Sequence, residues 1–121
     1  MTVSVRLLVY SGLPDPEWTL DDAELEAVTA RVSRSLQGPP TDTPQPGLLG
    51  YRGFAVHVDP PAANLPGRFE VFHGTLTVFD AGEPSTVRDD GGVEPYLLDD
   101  ARRRGHEGVL RALGVELPPA R

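Results

Sequence analysis

The sequence predicts a small α+β domain with a mostly antiparallel sheet and two helices, in the order β-α-β-β-α. Three observations carry this. Residues 2–10 alternate, with Val3, Val5, Leu7 and Val9 on one side and Ser4, Arg6, Leu8 and Tyr10 on the other. Leu25, Val28, Val32 and Leu36 recur at helical spacing, flanked by Ala23, Ala27 and Ala30. Residues 48–58 and 68–79 are apolar and β-prone.

The first strand spans residues 2–10. Between it and the first helix lies the run Ser11-Gly12-Leu13-Pro14-Asp15-Pro16-Glu17-Trp18-Thr19, stiffened by two prolines that also push Leu13 and Asp15 toward extended backbone. It carries the only tryptophan of the chain. A rigid loop presenting an aromatic ring and two carboxylates suits recognition, and a lid folded over the core is the equal alternative for Trp18. Thr19 is placed to cap a helix over residues 20–36, with Asp21 and Asp22 in its first turn. Gly38-Pro39-Pro40 ends that helix, and the proline-rich residues 37–47 form a connector.

Residues 48–58 form the second strand, with Phe54, Val56 and Val58 on one face and Tyr51, Gly53, Ala55 and His57 on the other. Residues 68–79 form either one long strand bent at His73-Gly74 or a hairpin turning there; a lone Gly74 is weak evidence for a tight turn, which favours the bent strand. Residues 81–93 are rich in turn formers. Pro95 suits the first turn of a helix over residues 94–113, which Gly105 and Gly108 each weaken by roughly 1 kcal/mol, so that a kink or break is expected there. Gly114 is placed to end it.

The 121 residues form a single domain, residues 1–121, with a formal charge of −7. That charge argues against nucleic acid and anionic membrane, and no apolar run approaches the roughly 20 residues of a membrane span, so a cytoplasmic, soluble protein is expected. With no cysteine there is neither disulfide nor thiolate chemistry, and with no lysine neither a Schiff base nor a lysine base. Apolar residues on both faces of the middle strands exceed what two helices cover. An intertwined homodimer follows as an expectation, with the glycine-weakened C-terminal helix as the segment to exchange.

The inventory for chemistry is thin. His57, His73 and His106 have no metal-ligand spacing, and Asp89-Asp90-Gly91-Gly92 lacks the spaced ligands of a calcium loop. His57 reads as a structural or surface residue ahead of a catalytic one, and His106 as part of a solvated helical face. Asp99 and Asp100 precede Arg102, Arg103 and Arg104 at the spacing of ordinary helix-surface ion pairs. No cofactor or metal is expected, and an enzyme with these residues would act by orienting its substrate.

The run Val9-Tyr10-Ser11-Gly12-Leu13-Pro14-Asp15-Pro16-Glu17-Trp18 has the form Ser-Gly-x-Pro-x-Pro-x-Trp, and Leu49-Gly50-Tyr51-Arg52-Gly53-Phe54 follows after the helix. In these two motifs, in size and in element order, the chain resembles the lysinoalanine synthases of cinnamycin- and duramycin-type lanthipeptide pathways. The resemblance implies a small cofactor-free dimer that adds a lysine amine of a modified precursor peptide across a dehydroalanine of the same peptide. It assigns no catalytic residue. Trp18, Tyr51, Arg52 and Ser11 are the expected peptide-binding residues, and Glu17 and His57 the lesser candidates for a base. The competing expectation is a non-catalytic, chaperone-like peptide-binding module.

Overall fold

The computed structural model describes residues 2–9, 15–42, 50–60, 65–79, 82–115 and 117. Six strands form one antiparallel sheet, joined by three helices: β1 (Thr2–Leu7), β2 (Glu17–Thr19), α1 (Asp22–Leu36), β3 (Phe54–Asp59), β4 (Arg68–Phe72), β5 (Thr75–Val78), β6 (Ser85–Arg88), α2 (Val93–Arg103) and α3 (Glu107–Ala112). The spatial order is β2-β1-β3-β4-β5-β6. The expected α+β class is what the chain forms.

The alternation in β1 sets the two faces. Val3, Val5 and Leu7 pair with Val58, Val56 and Phe54, and the row continues through Phe69 and Val71 of β4 to Leu76 of β5. These side chains are buried with Val28 and Val32 of α1, Leu97 and Ala101 of α2, and Leu110 of α3 in one core. All three helices therefore cover the same face. The opposite face carries Ser4, Arg6, Glu17, Ala55, His57, Arg68 and Glu70. It is polar, so the uncovered apolar area that suggested a dimer does not lie there; among the described residues the exposed large hydrophobics are Leu36 and Leu113.

The structure corrects several expectations. Residues 68–79 are not one bent strand: β4 and β5 are a hairpin turning at His73 and Gly74, both with positive φ (51° and 74°). The cost of the left-handed histidine is met from outside the hairpin, because the Glu94 carboxylate of α2 accepts from the N–H groups of His73 (3.3 Å) and Gly74 (2.9 Å). Two short strands, β2 and β6, replace what reads as loop. The cap of α1 is Asp21 rather than Thr19: its side chain accepts from Glu24 N (2.8 Å), and Glu24 Oε1 accepts from Asp21 N (2.9 Å), a reciprocal capping box. The C-terminal helix is two helices, broken at Gly105 as its glycines suggest.

The outer edge of β6 is closed by the chain leaving α1. Thr41 N donates to Thr86 O (3.0 Å), Arg88 N donates to Pro39 O (3.2 Å), and Pro40 bridges Val87. The start of α2 is tied to α1 through Asp89, whose carboxylate accepts from Val93 N and Glu94 N (2.8 Å each) and from Ser35 Oγ (2.9 Å). Burial raises the Asp89 pKa, opposed by these hydrogen bonds. Gly91 makes the approach possible, since a Cβ there would lie 1.9 Å from Arg31 O. Gly91→Ala is expected to lower the unfolding free energy by about 2 kcal/mol or more, read as a lower denaturant midpoint at unchanged slope.

Candidate functional site

A hollow of about 420 Å³ opens on the uncovered sheet face, lined by Ser4, Arg6, Glu17, Ala55, Val56, His57 and Arg68. Its shape follows from strand register. One row across the sheet is Thr19, Ser4, His57, Arg68, and the next is Glu17, Arg6, Ala55, Glu70. Ser4 and Ala55 are small and stand on neighbouring strands, so the floor is low; Arg6, Glu17, His57 and Arg68 are long and make the walls. Arg6 donates from Nε (3.1 Å) and Nη2 (2.9 Å) to Glu17 Oε2, which fixes the carboxylate at one side. Arg68 stands over the Phe79 ring at 5.0 Å and meets Glu70 at 3.5 Å. The hollow thus offers cationic groups, one held carboxylate and an exposed imidazole, a set that can hold a polar peptide and accept a proton.

The structure brings two of the sequence-predicted residues, Glu17 and His57, into this hollow. Trp18 and Tyr51 are elsewhere. Trp18 pairs with Val5 and turns to the core face, the one residue of β2 that is not exposed. Tyr51 packs edge-on to Phe54 and Phe72 and donates its hydroxyl to Glu94 Oε2 at 2.5 Å. Burial and the adjacent Glu94 carboxylate push the Tyr51 pKa far above its usual range, so the phenol stays protonated. Arg52 is half-buried and its N–H donates to Leu8 O (2.8 Å). Ser11 lies outside the described residues. Ser4, Arg6, Ala55 and Arg68 were not singled out from the sequence, although the alternation in β1 and β3 already sets Ser4 and Arg6 on one face and Ala55 and His57 on one face.

Behind β2, on the core side, lies a cluster the sequence reading placed on the surface. Asp100 is 2% exposed rather than solvated. Its Oδ2 accepts from Trp18 Nε1 (2.9 Å) and from Arg104 Nε (3.2 Å), and Oδ1 accepts from Arg103 Nη2 (3.4 Å). Arg104 Nη2 also donates to both Glu24 oxygens, at 2.8 and 2.9 Å. His106, expected on a solvated face, stacks on the Trp18 ring at 5.4 Å between centroids and an interplanar angle of 18°. The Arg104 guanidinium lies over the same ring at 5.5 Å.

Glu24 and Asp100 are close enough to share a proton, and their pKa values separate accordingly. Burial first, then the Glu24 carboxylate, raises Asp100 to about 6. Burial alone would raise Glu24 as well, but the Asp100 hydrogen bond, the Asp21 N–H and Arg104 together hold it down to about 2. Between these values Glu24 stays ionised and Asp100 carries the proton.

No helix among the described residues is long and apolar enough to cross a membrane. Nor does any group of three or more His, Cys, Asp or Glu among them stand ready to hold a metal ion. The class these features define is a small α+β domain presenting an uncovered sheet face with a polar hollow. No family model, no curated protein and no solved structure matches the chain.

The acid pair makes a stability prediction. The folded-state pKa of Asp100, about 6, lies above its ordinary value of 3.8, so the folded state binds the extra proton as pH falls through 6. Stability from Asp100 therefore rises from pH 7 to pH 5, on the order of 1–2 kcal/mol. Glu24 acts oppositely, its contribution being lost only as pH falls through 4.5 toward 2. Urea unfolding of the wild type and of Asp100→Asn at pH 7 and pH 5 should show the wild type gaining on the variant at the lower pH.

Proposed function

We propose that this protein binds a dehydrated, thioether-bridged peptide in the hollow of its uncovered sheet face and closes a lysinoalanine cross-link within it. The observation that carries the reading is the convergence of Glu17 and His57, with Arg6 and Arg68, around a concave site of about 420 Å³. Glu17 is the carboxylate of the hollow that suits a cationic lysine, and Arg6 and Arg68 suit the carbonyl and carboxylate groups of a peptide.

In the reaction a lysine nitrogen bonds to the dehydroalanine β-carbon. The π pair of the alkene moves to the α-carbon, which takes up a proton, and the nitrogen loses one to a base. Atoms balance without a cofactor or a leaving group. Only a small fraction of a lysine with pKa near 10.4 is neutral at pH 7, so holding the amine against the alkene is the main contribution open to the protein. In this reading His57 and Glu17 are the candidate proton acceptors, and Glu17 is engaged by Arg6. That engagement also supports the second reading, in which the hollow binds the peptide and another protein forms the bond.

Incubation with the dehydrated, thioether-bridged precursor separates the readings. Ring closure leaves mass unchanged, so the product is read by loss of dehydroalanine reactivity toward thiols and by resistance to fragmentation. His57→Ala and Glu17→Gln should each slow closure by less than the roughly 10²–10⁴-fold of a dedicated general base. Ala55→Trp, which fills the floor of the hollow, should weaken peptide binding at least about tenfold while leaving the melting temperature near that of the wild type. The homodimer belongs to this reading too, and sedimentation of a compact monomer at micromolar concentration would remove it.

A further inference from the structure

We propose that Trp18 is a positioning residue: its hydrogen bond to Asp100, on the core side of β2, sets where Glu17 stands in the hollow on the other side. This rests on reading the hollow as the binding site.

The argument begins with the shortness of β2. It has three residues, Glu17 and Thr19 are exposed, and Trp18 alone of them reaches the helical layer. Adjacent residues of a strand point to opposite faces, so the residue anchoring β2 and the residue lining the hollow are one peptide unit apart. Trp18 is opposite Val5, and Glu17 is opposite Arg6, the residue that holds its carboxylate. A shift of the indole along its bond to Asp100 is passed through that peptide unit to the Glu17–Arg6 pair.

The anchor is titratable. The charged and titratable groups around Asp100 are Glu24 and its Asp21 cap from α1, Arg103 and Tyr96 from α2, Arg104 at the end of α2, and His106 stacked on the indole. With Asp100 ionised, the indole N–H bonds to a carboxylate, a charge-assisted hydrogen bond. When Asp100 takes up a proton and turns it toward Glu24, the indole is left on a neutral acceptor and its bond weakens. The carboxylate lining the hollow therefore responds to a proton bound on the opposite side of the sheet.

The test uses the ligand-free full chain, so it stands or falls apart from the peptide chemistry. Because Trp18 is the only tryptophan, ¹⁵N-labelled protein gives one indole N–H resonance. This resonance, the Glu17 amide and the Arg6 Nε–H are followed from pH 7.5 to 5. The expected result is that all three move together with one midpoint near 6. All measurements are made in a His57→Gln background, so that the imidazole of the hollow does not titrate beside Glu17 and Arg6. There Asp100→Asn, whose amide oxygen still accepts from the indole, should leave Glu17 and Arg6 flat. His106→Gln should keep the midpoint. Trp18→Phe, which keeps a ring but lacks the N–H, should leave Asp100 titrating while Glu17 and Arg6 no longer follow it. The proposal is overturned if Glu17 and Arg6 stay flat while the indole titrates, if their titration survives in Asp100→Asn or Trp18→Phe, or if it vanishes in His106→Gln.

Discussion

The arrangement of this molecule depends on one constraint: every helix lies against the same face of the sheet. β1 and β3 alternate strictly, so burying Val3, Val5, Leu7, Val56 and Val58 under the helices obliges Ser4, Arg6, Ala55 and His57 to face water. A one-residue slip of β1 would reverse that assignment and expose the valines, so the core enforces the register that also builds the hollow. The candidate site is in this sense the reverse side of the hydrophobic core.

Carboxylates perform much of the remaining organisation. Glu24, Asp89, Glu94 and Asp100 belong to the helical layer, and each accepts hydrogen bonds that join separate elements. Glu24 closes the start of α1 and receives Arg104, Asp89 caps α2 and binds Ser35, Glu94 holds the β4–β5 turn and Tyr51, and Asp100 holds Trp18. Among the described residues no buried side-chain nitrogen or oxygen is left without a partner. Part of the acidity of the chain is thus internal structure, and the acidic surface is smaller than the net charge suggests.

What could be read from the residues was what repeats. The alternation of β1, the stripe of α1 as far as Val32 and the glycine break after α2 are local patterns, and each is present. The last member of the stripe, Leu36, is exposed, and Ser35 is buried instead, held by Asp89. β2 and β6 are three and four residues long, too short to show a period. The hairpin at His73 depends on Glu94, 21 residues later, and no local rule reports that partner. Asp100 has the spacing of a surface ion pair with Arg103 and Arg104, and it has those pairs too. It also accepts from Trp18, 82 residues earlier, a partner that no local spacing reports. Glu17 and His57 were legible as candidates by residue type, but the hollow needed Ser4 and Ala55, whose only qualification is that they are small.

The two margins of the sheet are both unwelcoming to a further strand. On one side β2 offers three residues and is preceded by Pro16; on the other, the Pro39-Pro40 segment already pairs with β6. Among the described residues a neighbouring chain therefore finds almost no free backbone to extend the sheet, whether it is another copy or an extended peptide. In the function proposed above, recognition therefore goes through side chains on a face, and it is selective for what a ligand carries rather than for its willingness to become a strand.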